Sequence, residues 1–143
     1  MDEKKALAAP CGLDCFNCEI YVENLTNELA EWIHEKVGVV KEDIACAGCR
    51  QQEGVHYHIP PEGCATLDCV KAKGVDFCCD CEEFPCPLLA PLAEGAGMYP
   101  HNMKVYSLCR IKKVGLEEWI EESRQIRMKY FKAPFVVGKG QAD

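Results

Sequence analysis

Cysteine carries the chemistry available to this sequence. Three lie within eight positions in CGLDCFNC (Cys11, Cys15 and Cys18) and two more in CAGC (Cys46 and Cys49). Cys64 and Cys69 follow, then Cys78, Cys79, Cys81 and Cys86 in CCDCEEFPC. The chain holds 12 cysteines in 143 residues, against a usual share of about one or two per hundred. Two thiols separated by two residues turn both sulfurs toward one point, because the tight turn between them also aims backbone N–H groups at the thiolates. Such a turn suits Zn²⁺ in a shell of four thiolates, with Zn–S distances of about 2.3 Å, and it suits an iron–sulfur cluster as well. The glycines after Cys11 and within CAGC supply the backbone freedom these turns need.

Spacing suggests one grouping directly. Cys46, Cys49, Cys64 and Cys69 form a pair, a loop and a second pair, close to the zinc-ribbon pattern. The other six, Cys11, Cys15, Cys18, Cys78, Cys81 and Cys86, furnish a second site or exchange partners with the first, and the sequence leaves that pairing open. Cys11, Cys15 and Cys18 have the spacing of the triad that holds a [4Fe–4S] cluster in radical S-adenosylmethionine enzymes, but those enzymes need a barrel-sized domain that 143 residues do not supply. Zinc is favoured, one or two ions, because closed four-cysteine sites in small domains are most often structural zinc that contributes directly to folding. A [4Fe–4S] cluster is the alternative.

The remaining candidates weigh less. Cys109, in a stripe with Val105 and Leu108, reads as a small core residue. Cys79 reads as core or as a reactive thiol, although Asp76, Asp80, Glu82 and Glu83 oppose a stabilised thiolate nearby. His56 and His58 are potential ligands that so many thiols should exclude. His34 and His101 read as solvent-facing or capping residues. No Ser-His-Asp set, phosphate loop or paired-carboxylate motif stands out, so the expectation leans away from an enzyme.

Composition narrows the setting. A formal net charge of -7 and a pI of about 5.1 argue against nucleic-acid binding, which relies on Lys and Arg neutralising phosphates. MDEKKALAAP lacks the apolar core of a secretory signal, and no apolar run is long enough to span a bilayer. A cytoplasmic protein is expected, and in that reducing compartment clustered thiols bind metal or do redox chemistry rather than form disulfides. An oxidising compartment would instead make the even cysteine count a disulfide framework.

The elements that must position these thiols are mainly helical. FNCEIYVENLTNELAEWIHEKVG places Tyr21, Leu25, Leu29, Trp32 and Ile33 on one helical stripe that stops at Gly38. CATLDCVKAKG predicts a short helix ending at Gly74. Cys64 and Cys69, five apart, would point about 140° away from each other on a continuous helix, which places Cys64 in the loop before it. PLLAPLAEGAG predicts a short helix that Pro91 kinks or shortens. Asn102 is the expected cap of MKVYSLCRIKKVG, and Gly115 separates that helix from LEEWIEESRQIRMKYFK, whose acids come early and whose bases come late, as the helix dipole favours. The first ten residues look dispensable, and APFVVGKGQAD looks like a loosely packed tail. The expected fold is one small domain over 1–143, mainly α with irregular metal-stapled cysteine loops: a cysteine-rich part at 11–86, a helical part at 87–132 and a tail at 133–143.

The motifs CGLDCFNC, CAGC and CVKAKGVDFCCDCEEFPCPLL, continuing into YPHNMKVYSLCRIKKVGLEEWIEE, resemble an uncharacterised cysteine-rich family of bacteria and archaea, the domain-of-unknown-function family 3795. The resemblance covers nearly the whole chain apart from both tails. It implies ten recurring cysteines, Cys11, Cys15, Cys18, Cys46, Cys49, Cys64, Cys69, Cys78, Cys81 and Cys86, and zinc as the supposed metal. It assigns no reaction, and Cys79 and Cys109 depart from its pattern. The expectation is a small metal-binding protein that presents a surface to a protein partner. An iron–sulfur electron-transfer or accessory protein of anaerobic metabolism comes second, and a thiol redox protein third.

Overall fold

The computed structural model describes residues 3–141. The scaffold is a helical hairpin near the C-terminus. Helix α4 spans Lys104–Val114 and α5 spans Leu116–Lys132, with Gly115 between them at φ 91°. That angle lies in the region glycine adopts freely, so two helices can turn sharply without an intervening loop. Arg110 clamps the hairpin: its Nε and Nη2 donate to Glu122 Oε1 and Oε2 at 2.6 and 2.8 Å. Such a two-bond fork fixes orientation as well as distance.

Three shorter helices precede the hairpin: α1 Glu3–Leu7, α2 Asn27–Val37 and α3 Ala65–Lys73. Single 3₁₀ turns punctuate the rest at Cys15–Asn17, Lys41–Asp43, Cys78–Asp80, Pro87–Leu89 and His101–Met103. Strand pairing among the described residues amounts to two isolated bridges, Ala8 with Asp14 and Tyr21 with Cys46. The mainly helical expectation therefore holds. No helix is long and apolar enough to cross a membrane among the described residues.

Two small cores organise the chain. In the first, Trp119, Ile120 and Ile126 of α5 receive Leu7, Ala8, Phe16, Tyr21 and Met103. Phe16 meets Trp119 edge-on, with centroids 5.8 Å apart, an arrangement that aromatic quadrupoles favour. In the second, Leu108 of α4 gathers Leu67 and Val70 of α3 with Cys78, Cys79 and Leu89. Both cores lie against the hairpin, so the cysteine loops are mounted on it from two sides.

Several local expectations are corrected. Helix α2 starts late because Thr26 caps it, its Oγ1 accepting from the Leu29 amide at 3.1 Å. Tyr21 lies ahead of that cap in an irregular turn, and Trp32 faces solvent, leaving Ile33 as the buried residue of the helix. Gly38 does end it in the left-handed conformation, as Gly74 ends α3. Asn102 does not cap α4; its side chain is engaged with both backbone groups of Leu92. The segment from Pro87 forms a single 3₁₀ turn because Pro91 lacks the amide to continue it. Cys109 is exposed rather than a core residue. The N-terminal segment is not dispensable, since Leu7, Ala8 and Ala9 are buried; Met1 and Asp2 lie outside the described residues. The tail agrees with expectation, Phe135 being 91% and Val137 84% exposed, with Ala142 and Asp143 likewise outside the described residues.

Candidate functional site

Backbone hydrogen bonds draw the distant cysteine segments together. The Cys78 amide donates to Pro10 O at 2.9 Å, fastening CCDC to the start of CGLDC. The Cys46 amide donates to Ile20 O at 2.8 Å and Val22 returns a bond to Cys46 O, fastening CAGC to the end of CGLDCFNC. Arg50, just after CAGC, donates to Ala8 O at 2.9 Å and to Asp76 O at 2.7 Å while lying over the Phe77 ring. One side chain thus bridges three cysteine-bearing segments.

The sulfurs divide between two neighbouring depressions. The first, about 290 Å³, is lined by Cys69, Cys78, Cys81 and Cys86 over an apolar floor that includes Val70 and Leu89. The second, about 180 Å³, is lined by Cys11, Cys15, Cys46, Cys49 and Cys64, with His56, His58 and Lys104 in its walls. Cys18 stands beside this second set, close enough for its charge to act on Cys15. Thr66, in the first turn of α3, lines both depressions and forms their shared wall.

This division differs from the ribbon grouping. Cys64 is the residue preceding α3 and Cys69 lies inside it, so the helix turns them to opposite sides. Cys64 joins Cys46 and Cys49, as expected. Cys69 joins Cys78, Cys81 and Cys86 instead. The loop position expected for Cys64 is correct.

The turns carry amides aimed at sulfur. Gly48 N–H donates to Cys46 Sγ and Glu83 N–H to Cys81 Sγ, each at 3.4 Å. In each case the donor lies two residues after the cysteine. Lys73, one helical turn after Cys69, donates to Cys81 Sγ at 3.3 Å and also pairs with Glu83. The expected glycine freedom is used: Gly12 has φ +90° and Gly48 φ +97°. At Gly12 a Cβ would come within 2.7 Å of Lys104 O and 2.8 Å of Leu108 Cγ, so the loop backbone rests directly on α4.

Burial sets the protonation of these thiols. It pushes Cys11 and Cys18 up and Cys15 far up, Cys49 to about 11 and Cys78 to about 12. All are therefore neutral thiols at pH 7 unless a cation displaces the proton. Cys79 is 2% exposed, and burial followed by the Asp80 charge pushes it up too. Those surroundings are the reverse of what activates a nucleophilic thiolate. All twelve cysteines are free thiols.

One feature escaped sequence reasoning. Asp14, inside CGLDCFNC, is 1% exposed and accepts from Arg127 Nη1 at 2.8 Å and Asn17 Nδ2 at 2.9 Å. Asn17 Nδ2 also reaches Ser123 Oγ at 3.0 Å, and Arg127 Nη2 reaches Glu19 at 2.7 Å. Burial lifts the Asp14 carboxyl above its ordinary range in spite of Arg127. The network welds the first cysteine loop to α5. An acid between closely spaced cysteines was the available signal.

A family model described as a protein of unknown function (DUF3795) matches residues 7–91. The chain belongs to this family. The DUF3795 stretch contains every cysteine except Cys109 and both depressions' sulfurs, while α4 and α5 lie beyond it. No curated protein and no solved structure matches the chain.

Whether these residues suit a metal is a matter of donor chemistry. Among the described residues no three His, Cys, Asp or Glu side chains are gathered into a metal-holding cluster. The first depression nonetheless offers four sulfurs, the number a closed zinc shell takes. Amides aimed at sulfur and a lysine on Cys81 are the hydrogen bonds that a bound thiolate requires. The residues fit zinc.

Proposed function

We propose that this DUF3795 chain is a metal-binding protein that holds zinc through its cysteines and uses it to fasten the cysteine-rich half to the helical hairpin, in a binding or accessory role toward a protein partner. One observation carries the reading: the ten cysteines of the family pattern sort into two adjacent sets, in each of which one sulfur, Cys46 or Cys81, accepts the amide two residues ahead. Thiols that were merely core filler would have no use for those donors, because a neutral S–H is a weak acceptor. Deprotonation on binding converts them to strong ones. Closure then includes inward rotation of the thiol side chains, which couples metal uptake to folding.

The second set supports a second reading. It holds Cys11, Cys15, Cys18, Cys46, Cys49 and Cys64, more thiolates than one zinc ion takes, and a [4Fe–4S] cluster needs only four of them. Anaerobic purification followed by elemental analysis and a visible spectrum separates the readings. Zinc at about two ions per chain in a colourless protein is expected. A brown protein bleached by dithionite favours the iron–sulfur reading, and a folded, reduced protein containing neither element contradicts both.

A further inference from the structure

The two depressions differ in what they offer, and the difference assigns ligands. In the first, each of the four sulfurs comes from a defined place. Cys69 is carried on α3, Cys78 on the 3₁₀ turn Cys78–Asp80, Cys81 on the turn that follows, and Cys86 on the residue leading into Pro87–Leu89. All four lie within 18 residues of sequence, so closing the site needs no sulfur from ahead of α3. Lys73 lies four residues after Cys69 on the same helix face, and its Nζ already rests on Cys81. Through that contact the helix and the cysteine turn are joined.

We propose that Cys69, Cys78, Cys81 and Cys86 close around one zinc ion as a self-contained four-thiolate site, balanced in charge by Lys73, while the other six cysteines of the family pattern form a separate centre. This deepens the zinc reading above and rests on it. Binding replaces four S–H bonds by four Zn–S bonds and releases four protons to solvent, leaving a site of net charge −2. Lys73 offsets part of that charge at Cys81, although Glu83 shares the ammonium. Cys78 is the residue nearest the boundary, since the charge that acts on it most strongly is that of Cys11. It lines the first depression and not the second.

The test uses the full chain, reduced and loaded with Zn²⁺. Stepwise withdrawal of zinc by a chelator, with thiol alkylation and peptide mass spectrometry at each step, should expose Cys69, Cys78, Cys81 and Cys86 together as one batch. Alkylation of Cys69 in step with Cys46 and Cys49, or of Cys78 in step with Cys11, overturns the assignment. Variants supply the second reading. Cys69→Ser combined with Cys86→Ser should lose about one metal ion and keep the rest, as should Cys46→Ser, Cys49→Ser and Cys64→Ser together, which leave that centre fewer than four thiols, and combining all five should lose everything. If Cys69→Ser and Cys46→Ser remove the same ion, the ribbon pairing is correct and this assignment fails. A wild-type chain without metal overturns the zinc reading itself, a different result from metal that is present but partitioned otherwise.

Discussion

Arg127, in the second half of α5, is joined to Asp14, between Cys11 and Cys15, across 113 residues of sequence by a 2.8 Å hydrogen bond. Both are nearly inaccessible, with side chains 9% and 1% exposed. The position of the first cysteine loop therefore depends on an ion pair that water does not screen. Removing one member leaves a buried charge without its partner, which costs more than the intact pair contributes.

Arg127→Met should accordingly lower stability by about 3–5 kcal/mol, read from urea unfolding of the metal-loaded protein. Arg124→Met, on the exposed face of the same helix, should change it by less than about 0.5 kcal/mol. Equal effects from the two substitutions would contradict the role given to the pair.

Gly12→Ala tests the contact between the first loop and α4. A methyl group there meets Lys104 O and Leu108 in a backbone conformation at φ +90°. The expected cost is at least about 2 kcal/mol, or roughly 5 °C in Tm for a chain of this size. Gly38→Ala, also at positive φ but with open space around it, should cost only about 1 kcal/mol. Differential scanning calorimetry distinguishes them.

Lys73→Met should weaken zinc binding about 10- to 100-fold, the range typical of outer-sphere partners of metal ligands. Competition with a chromophoric chelator measures it. Lys71→Met, whose ammonium stands 3.8 Å from Glu53, should leave affinity unchanged. An unaltered Lys73→Met affinity would remove the charge-balancing role.

His58 should titrate at about 4, because burial and then the facing His56 ring lower it from the ordinary 6.5. Between about 6.5 and 4 the unfolded chain binds the extra proton and the folded chain does not. The contribution of His58 is thus intact above pH 6.5 and is lost as pH falls through that window. NMR titration of the ring protons reads the value directly, and an ordinary midpoint near 6.5 would show that the His58 ring is open to water rather than held in the wall of the second depression.

Much of this architecture was legible from residue type alone. Gly38, Gly74 and Gly115 marked their helix ends because an L side chain resists the backbone angles required there, and the charge gradient of LEEWIEESRQIRMKYFK marked α5. The clustering of the sulfurs was legible as well. The sequence leaves their division between two depressions open, because spacing brings Cys64 and Cys69 together while only the fold shows which distant loops come to lie beside each. Thr26 and Asn102 show a similar limit. Both can cap a helix, and only the competition among tertiary partners decided that Thr26 does so while Asn102 holds Leu92 instead. Asp14 and Arg127 escaped for the same reason: a charge pair separated by most of the chain leaves no local pattern.

The central claim is that metal bound by these cysteines holds the cysteine-rich half on the hairpin. Its most direct measurement is a titration of the reduced chain, stripped of metal by chelation, with Zn²⁺ while near-ultraviolet circular dichroism and free-thiol content are followed together. The account predicts that aromatic packing at Trp119 and Phe16 sharpens as thiols disappear, with saturation at about two equivalents. A stripped, reduced chain that already shows the full native signal and a cooperative melt, both unchanged by zinc, would contradict it.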